Sequence, residues 1–183
     1  IKWRGSPYFY AGHLHRRAIV LHTMVGFLAG SDSWFNSPNN RGSASHFGVG
    51  LKRQPISQYV KLDDSPWTNG LITAGSKWAA RYAFGNPNLH TYTIETEDTY
   101  RSDSIGTAAV SDAQYEDTRD LILSVILPWD RAEQRRIQGY WIKPLLTGHH
   151  MIDPVNKAGC PGRRWTSGRI QELARETGLE LWI

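Results

Sequence analysis

Residues Ala18-Ile19-Val20-Leu21-His22-Thr23 make a short apolar run closed by a histidine and a threonine. A run of this length, too short for a buried helix, reads as a strand in the centre of a sheet. A central strand needs strands beside it and other elements over it, so the rest of the chain is read for both. His90 to Glu97 alternates as a second strand, with Tyr92, Ile94 and Thr96 on one face and Thr91, Thr93, Glu95 and Glu97 on the other. His46 to Leu51 and Ile56 to Val60 flank a turn at Lys52-Arg53-Gln54-Pro55, which predicts a hairpin.

Helical patterns separate these strands. Ser76 to Phe84 stops at Gly85-Asn86-Pro87. Ser111 and Gln114 form a capping-box pair, opening a helix that carries Tyr115, Leu121, Ile122, Val125 and Ile126 and is expected to end near Pro128. A shorter helix is expected over Arg131 to Gln138, and a last one over Ser167 to Glu176, with Ile170, Leu173 and Ala174 at helical spacing. The stretch from Gly26 to Ser43, rich in Gly, Ser and Asn, is expected to be an irregular binding loop or lid. Strands and helices alternate around one core. The expected fold class is therefore α/β: a single domain over residues 1–183, with a central mixed β-sheet flanked by α-helices.

Composition narrows the function classes. With 40% hydrophobic and 21% charged residues the chain is ordinary for a globular protein. No apolar segment approaches the roughly 18 residues of a membrane span, so no membrane insertion is expected. The opening residues lack the apolar run of a signal peptide, and the missing initial Met points to a processed or excised domain. The net charge of +4 is compatible with a polyanionic partner such as nucleic acid or an anionic cell wall. The basic residues are scattered apart from the pairs Arg16-Arg17, Arg135-Arg136 and Arg163-Arg164, and no nucleic-acid motif accompanies them, so no nucleic-acid partner is expected. The 8 Trp fit a cleft that stacks on sugar-like ligands, with most of them in the core. The loop from Gly26 to Ser43, with Trp34 and Phe35, is expected to wall a substrate groove, joined by Trp67. The single Cys excludes an intrachain disulfide.

Three residues have the chemistry to hold zinc. His22 ends the first core strand, and His149 and Cys160 flank the turn-rich segment from Gly148 to Gly162. Two histidines and a cysteine would leave one coordination position open for water, the pattern of a catalytic zinc site. With seven histidines present, spacing alone leaves the ligand set open.

The pieces IVLHT, SASHFGVG, TYTIETE and GHHMIDPVNKAGCPG, in that order, resemble the successive motifs of the type 2 N-acetylmuramoyl-L-alanine amidases. That superfamily includes bacteriophage endolysins and the peptidoglycan recognition proteins. The resemblance runs from about Ala18 to Glu176 and is strongest in the block ending Cys160-Pro161-Gly162. It implies the amidase/peptidoglycan-recognition fold and a Zn2+ site at His22, His149 and Cys160, with His149 preferred to His150. It further implies cleavage of the amide between N-acetylmuramic acid and L-alanine in bacterial peptidoglycan. Glu95 aligns with a carboxylate that serves as base in some members, with Glu97 as the alternative on the same strand. Lys157 resembles a lysine that stabilises the developing oxyanion, although it stands three residues before the cysteine where two is common. Ser45 and His46 fall at or beside positions lining the cleft, and Ser45 stands where other members place a tyrosine.

The same resemblance implies a site of action, the bacterial cell wall, reached by release of a phage-encoded enzyme from the host cytoplasm or by secretion. A monomer is expected. Three rivals remain open on the sequence: a non-catalytic recognition protein of the same fold, a zinc endopeptidase, and a cysteine peptidase using Cys160.

Overall fold

A computed structural model describes residues 1–24, 26–83, 85–98 and 109–183. In chain order its elements are β1 (Lys2–Trp3), β2 (Phe9–Tyr10), β3 (Ala18–Thr23), α1 (Leu28–Trp34), β4 (Phe47–Val49), β5 (Ser57–Gln58) and β6 (Ser65–Pro66). These are followed by α2 (Lys77–Tyr82), β7 (Thr91–Thr96), α3 (Asp112–Leu121), α4 (Leu127–Gln138), β8 (Leu145–Gly148) and α5 (Ser167–Thr177). Six strands form one mixed sheet in the order β1-β5-β4-β7-β3-β8, and β2 pairs with β6 apart from it. The middle of the sheet is parallel: β3 lies between β7 and β8, and β4 joins the far side of β7. The hairpin expected from the sequence is the antiparallel pair β4 and β5.

The apolar run Ala18–Thr23 is the central strand, and all six of its residues are buried. Its side chains alternate between two cores, as the pleat requires. Ile19 and Leu21 join Tyr92, Ile94 and Leu146 beneath α3, α4 and α5, in a core that also takes Leu121, Ile126, Ile170 and Leu173. Ala18 and Val20 face the other way, onto Trp78 of α2 with Leu145 and Ile152. His22 continues the second series, so its ring stands on the face that α2 covers at the other end of the strand.

Helix boundaries follow local chemistry where that chemistry is strong. Ser111 accepts from Gln114 N to start α3, and Thr166 does the same for Arg169 N at α5, which ends on Gly178 at φ 64°. α2 starts at a Ser76 cap; the end of its expected span, Phe84, lies outside the described residues.

Two expectations are corrected and one strand was not foreseen. The helix opened by Ser111 does not stop near Pro128, and no separate helix begins at Arg131. Instead α3 runs through a π-helical turn at Ile122–Ile126 straight into α4. A proline lacks the N–H of a regular turn and crowds the preceding carbonyl, and the wider π turn just before Pro128 accommodates both. The stretch from Gly26 to Ser43 is not wholly irregular, since it holds α1. That helix has poor formers and no side-chain cap of its own, but Glu97 Oε1 accepts from Leu28 N at 3.0 Å. Strand β8, whose buried Leu145-Leu146-Thr147-Gly148 is only four residues long, has no counterpart in the sequence-based expectations. Among the described residues no helix is long and apolar enough to cross a membrane.

Candidate active site

The sheet register assembles the site. In the parallel pair β3 and β7, His22 lies opposite Glu95, and in the pair β3 and β8, Leu21 lies opposite Gly148. His149 is therefore carried one step beyond β8 to stand beside His22. The two imidazoles lie with ring centroids 4.4 Å apart. All of these residues leave the carboxyl ends of parallel strands, the end of an α/β sheet where ligand sites form.

The third member arrives from the loop after β8. Asp153 Oδ1 accepts from Thr73 Oγ1 at 2.7 Å and from Asn156 N at 2.9 Å, and Cys160 N donates to Lys157 O at 2.9 Å, so the loop doubles back in two tight steps. It passes close over Gly148, where an added Cβ would lie 2.6 Å from Pro161 Cδ, so only glycine permits this approach. One ligand-capable atom each from His22, His149 and Cys160 lies within 4.8 Å of the others, and all three side chains are buried. His150 turns elsewhere. Its ring Nδ1 and its backbone N both lie 3.0 Å from Cys160 O, so it props the loop from behind.

Burial sets the electrostatics. Desolvation, helped by the neighbouring His149 and the Lys157 charge, holds the His22 imidazole far below its usual basicity. Desolvation likewise lowers His149 to about 4. Both rings are thus neutral near pH 7, the form that binds a metal. His149 Nε2 is 2.8 Å from Asn69 O, and as the donor there it leaves Nδ1 for the cleft. His22 Nδ1 is 3.9 Å from Glu95 Oε1, so that nitrogen also faces the cleft. Burial raises the Glu95 carboxyl to about 7 against the opposing charge of Lys157. Two neutral imidazoles and a thiol converging on one point are a donor set suited to zinc, and three protein donors leave a position for a reacting oxygen.

These residues floor a cleft of about 560 Å³ walled by Phe27, Trp34, Phe35, Ser43 and Lys157. Glu95 and Lys157, read from the sequence as catalytic, both lie in it, as does Trp34. Glu97 does not. Its carboxylate accepts from Leu28 N and, at 2.8 Å, from Leu51 N, tying α1 and the β4–β5 hairpin to the end of β7. One residue past the strand, it no longer follows the alternation that would aim it beside Glu95.

Three expected lining residues also lie elsewhere. Trp67 packs between Tyr8 and Tyr10, with ring centroids at 5.9 and 5.6 Å, beneath the turn at Gly42. Ser45 is fully buried and donates to Thr93 O at 3.1 Å. His46 accepts from Thr93 N through Nδ1 and donates to Asp64 O through Nε2, both at 3.1 Å, which makes it a neutral brace inside the fold. Motif position placed Ser45 and His46 near the cleft and aromatic character placed Trp67 there, and packing in the segments before β4 and after β6 turned all three away from it. Conversely, Phe27, 59% exposed at the mouth of the cleft, lay in the Gly26–Ser43 stretch without being singled out. Asn69 was missed altogether, and nothing in the sequence sets it apart from the other asparagines.

Among solved structures the chain is similar to AmpD (a selenomethionine derivative), with TM-score 0.64 and 21% identity over 94% of this chain and 93% of that one. It is similar to PlyL, with TM-score 0.56 and 13% identity over 96% of this chain and 94% of that one. A third is AmiD of E. coli in complex with anhydro-N-acetylmuramic acid-L-Ala-D-γ-Glu-L-Lys, with TM-score 0.55 and 21% identity over 94% of this chain and 61% of that one. These likenesses establish the fold, a central mixed sheet flanked by helices. No curated protein matches the chain in sequence. The family model for N-acetylmuramoyl-L-alanine amidase matches residues 14–163, a span that holds every residue of the cleft floor and nearly all of the sheet, and the chain accordingly belongs to that amidase family.

Proposed function

We propose that this amidase is zinc-dependent and cleaves the bond between the lactyl group of N-acetylmuramic acid and L-alanine in bacterial peptidoglycan, opening the cell wall. The observation that carries the reading is the convergence of His22, His149 and Cys160 to within 4.8 Å at the floor of a cleft that also holds Glu95. His22 and His149 would hold the ion through Nδ1 and Cys160 through Sγ. When bound, zinc supplies Lewis acidity and brings the pKa of a bound water towards about 7.

The remaining chemistry falls to the chain. Glu95, raised to about 7, is matched to accept a proton from the attacking water and return it to the departing amine. Lys157 places its charge at the mouth of the same pocket, where it favours oxygen bearing negative charge. Phe27 and Trp34 present exposed aromatic faces suited to the apolar side of a sugar ring. AmiD in its complex carries a muramic acid joined to a peptide, and a ligand of that kind has the glycan and peptide portions this cleft would receive.

Elemental analysis and product mapping test the reading together. The purified protein should hold one zinc per chain, and Cys160→Ser and His22→Ala should lose both metal and turnover. A chelator should abolish activity and lower the thermal midpoint, because the ligands tie β3 to the loop after β8. Mass spectrometry of digested sacculi should find intact glycan strands and free stem peptides beginning at L-alanine. Full zinc occupancy in both variants would sink the metal assignment. Peptides cut between later residues would make the protein an endopeptidase.

A further inference from the structure

Asn69 lies at the centre of the unexplained polar chemistry around the two histidines. It is completely buried. Its backbone N donates to Asn88 Oδ1 and its Nδ2 to Thr91 Oγ1, each at 2.9 Å, which fixes the carboxamide plane. Its carbonyl accepts from His149 Nε2 at 2.8 Å. That leaves Asn69 Oδ1, a buried acceptor with no hydrogen-bond partner. His22 Nε2 is another uncompensated atom, also buried and also without a partner. The two lie together, because Asn69 holds His149 Nε2 through its carbonyl and the His149 ring stands 4.4 Å, centroid to centroid, from that of His22.

We infer that Asn69 is a positioning residue for both imidazoles, its carbonyl receiving His149 Nε2–H and its Oδ1 receiving His22 Nε2–H, so that both rings present Nδ1 to one point. The inference rests on the zinc reading above. A neutral imidazole carries one proton shared between two possible nitrogens. Metal at Nδ1 forces that proton onto Nε2, and a buried Nε2–H then requires an acceptor. Asn69 Oδ1 is the buried acceptor left over for it. One residue thereby couples β3 to the end of β8, since loss of its side chain frees the His22 ring while the backbone bond to His149 survives.

Zinc affinity, measured by competition with a chromogenic chelator, is the primary test, and it does not depend on turnover. Asn69→Ala should weaken zinc binding about tenfold to a hundredfold, the usual effect of removing a partner of a ligating histidine. Asn69→Asp, which keeps the acceptor, should restore most of it. Proton NMR of the zinc-loaded wild type should show two protected imidazole Nε2–H signals, with the His22 signal lost in Asn69→Ala and the His149 signal kept. Should Asn69→Ala fail to fold, Thr91→Val frees the carboxamide from its anchor and should give a smaller loss in the same direction. Unchanged affinity in Asn69→Ala, or in Thr91→Val where that variant replaces it, would overturn the inference while leaving the zinc reading intact, provided His22→Ala still abolishes binding. A wild-type protein that binds no zinc would overturn both.

Discussion

Arg16 and His22 stand at opposite ends of β3, each all but fully buried, and their surroundings differ. At the amino end, Arg16 directs its Nη atoms to four backbone carbonyls, those of Leu62, Asp64, Asn88 and Thr91, at 2.6 to 3.3 Å. Asp130 accepts from Tyr92 Oη at 2.9 Å, Gln134 Nε2 at 2.8 Å and Trp141 Nε1 at 2.6 Å. Apart from Arg16 Nε, every polar atom of this network is matched. At the carboxyl end, His22, Glu95, His149 and Cys160 crowd together with an orphaned nitrogen and a carboxyl raised to about 7. Buried polarity at the first end has the form of a brace, whereas at the second it leaves donor atoms turned to the cleft. Each end keeps one unpaired buried nitrogen, so what separates structure from chemistry here is whether the donor set closes on backbone carbonyls or opens onto a cleft.

The sharpest way to break that contrast is at Glu95. Glu95→Gln should keep zinc and fold while turnover falls about 10²- to 10⁴-fold, the loss expected of a proton-transfer group. Glu97→Gln should leave the rate per folded molecule unchanged and cost about 1.5–3 kcal/mol of stability, because its carboxylate receives the N–H groups of Leu28 and Leu51. Steady-state kinetics with paired urea unfolding would decide. An exchange of the two phenotypes would mean that the two carboxylates have been assigned to the wrong roles.

The brace should answer in stability and not in rate. Asp130→Ala strands three donors in the interior and should destabilise the protein by about 3–5 kcal/mol, with kcat per folded molecule intact. A large fall in kcat without a fall in stability would mean that the two ends of β3 are coupled.

What the sequence disclosed follows the same line. Ala18–Thr23, the alternation of β7, the cap at Ser111 and the helix start at Ser76 are local signals, and local signals survive into the fold. Helix α1 was hidden because its start depends on Glu97, 69 residues away along the chain. The continuity of α3 into α4 was hidden because a π turn has no signature that outweighs a proline. In the site, side chains at strand ends were legible from motif position, and the register of β3 with β7 brings them together. Ser45 and His46 belong to one of those motifs and Trp67 was read only as an aromatic wall, but which way each faces is set by packing against Thr93, Asp64, Tyr8 and Tyr10. Asn69 meets His149 through its backbone carbonyl, and no residue type advertises that.

The cleft also has an aromatic wall. Trp34 is 45% exposed, and its Nε1 donates to Ser43 Oγ at 3.2 Å. Trp34→Ala should raise KM for glycan-peptide fragments roughly threefold to tenfold, the worth of one aromatic contact, and leave zinc content alone. An unchanged KM would remove α1 from substrate binding and confine the site to the strand ends.

The smallest expected effect is the share of the pH dependence of stability that belongs to the amino end. Burial, the largest cause at each, lowers the imidazoles of His13, His15 and His90 below the ordinary 6.5. His13 Nδ1 lies 2.7 Å from Leu14 O, and His90 Nδ1 lies 2.9 Å from His15 O, bonds that only partly offset the burial. Below 6.5 the unfolded chain therefore binds protons that the folded one resists, so stability rises with pH. The contribution is fully present above about 6.5 and is lost as pH falls through the lowered folded values. Urea midpoints of metal-free protein, measured in a Glu95→Gln background to remove the opposing carboxyl raised to about 7, should hold level and then fall at steps from about pH 8 to about pH 5. The cleft histidines and His46 add to the same fall, so the single variants His13→Gln and His90→Gln are needed to separate the ends. Each should flatten the acid limb without moving the plateau by more than the substitution itself costs. A midpoint that rises on acidification, or variants whose acid limb matches that of the wild type, would show that these three imidazoles meet solvent freely enough to take up protons in the folded state.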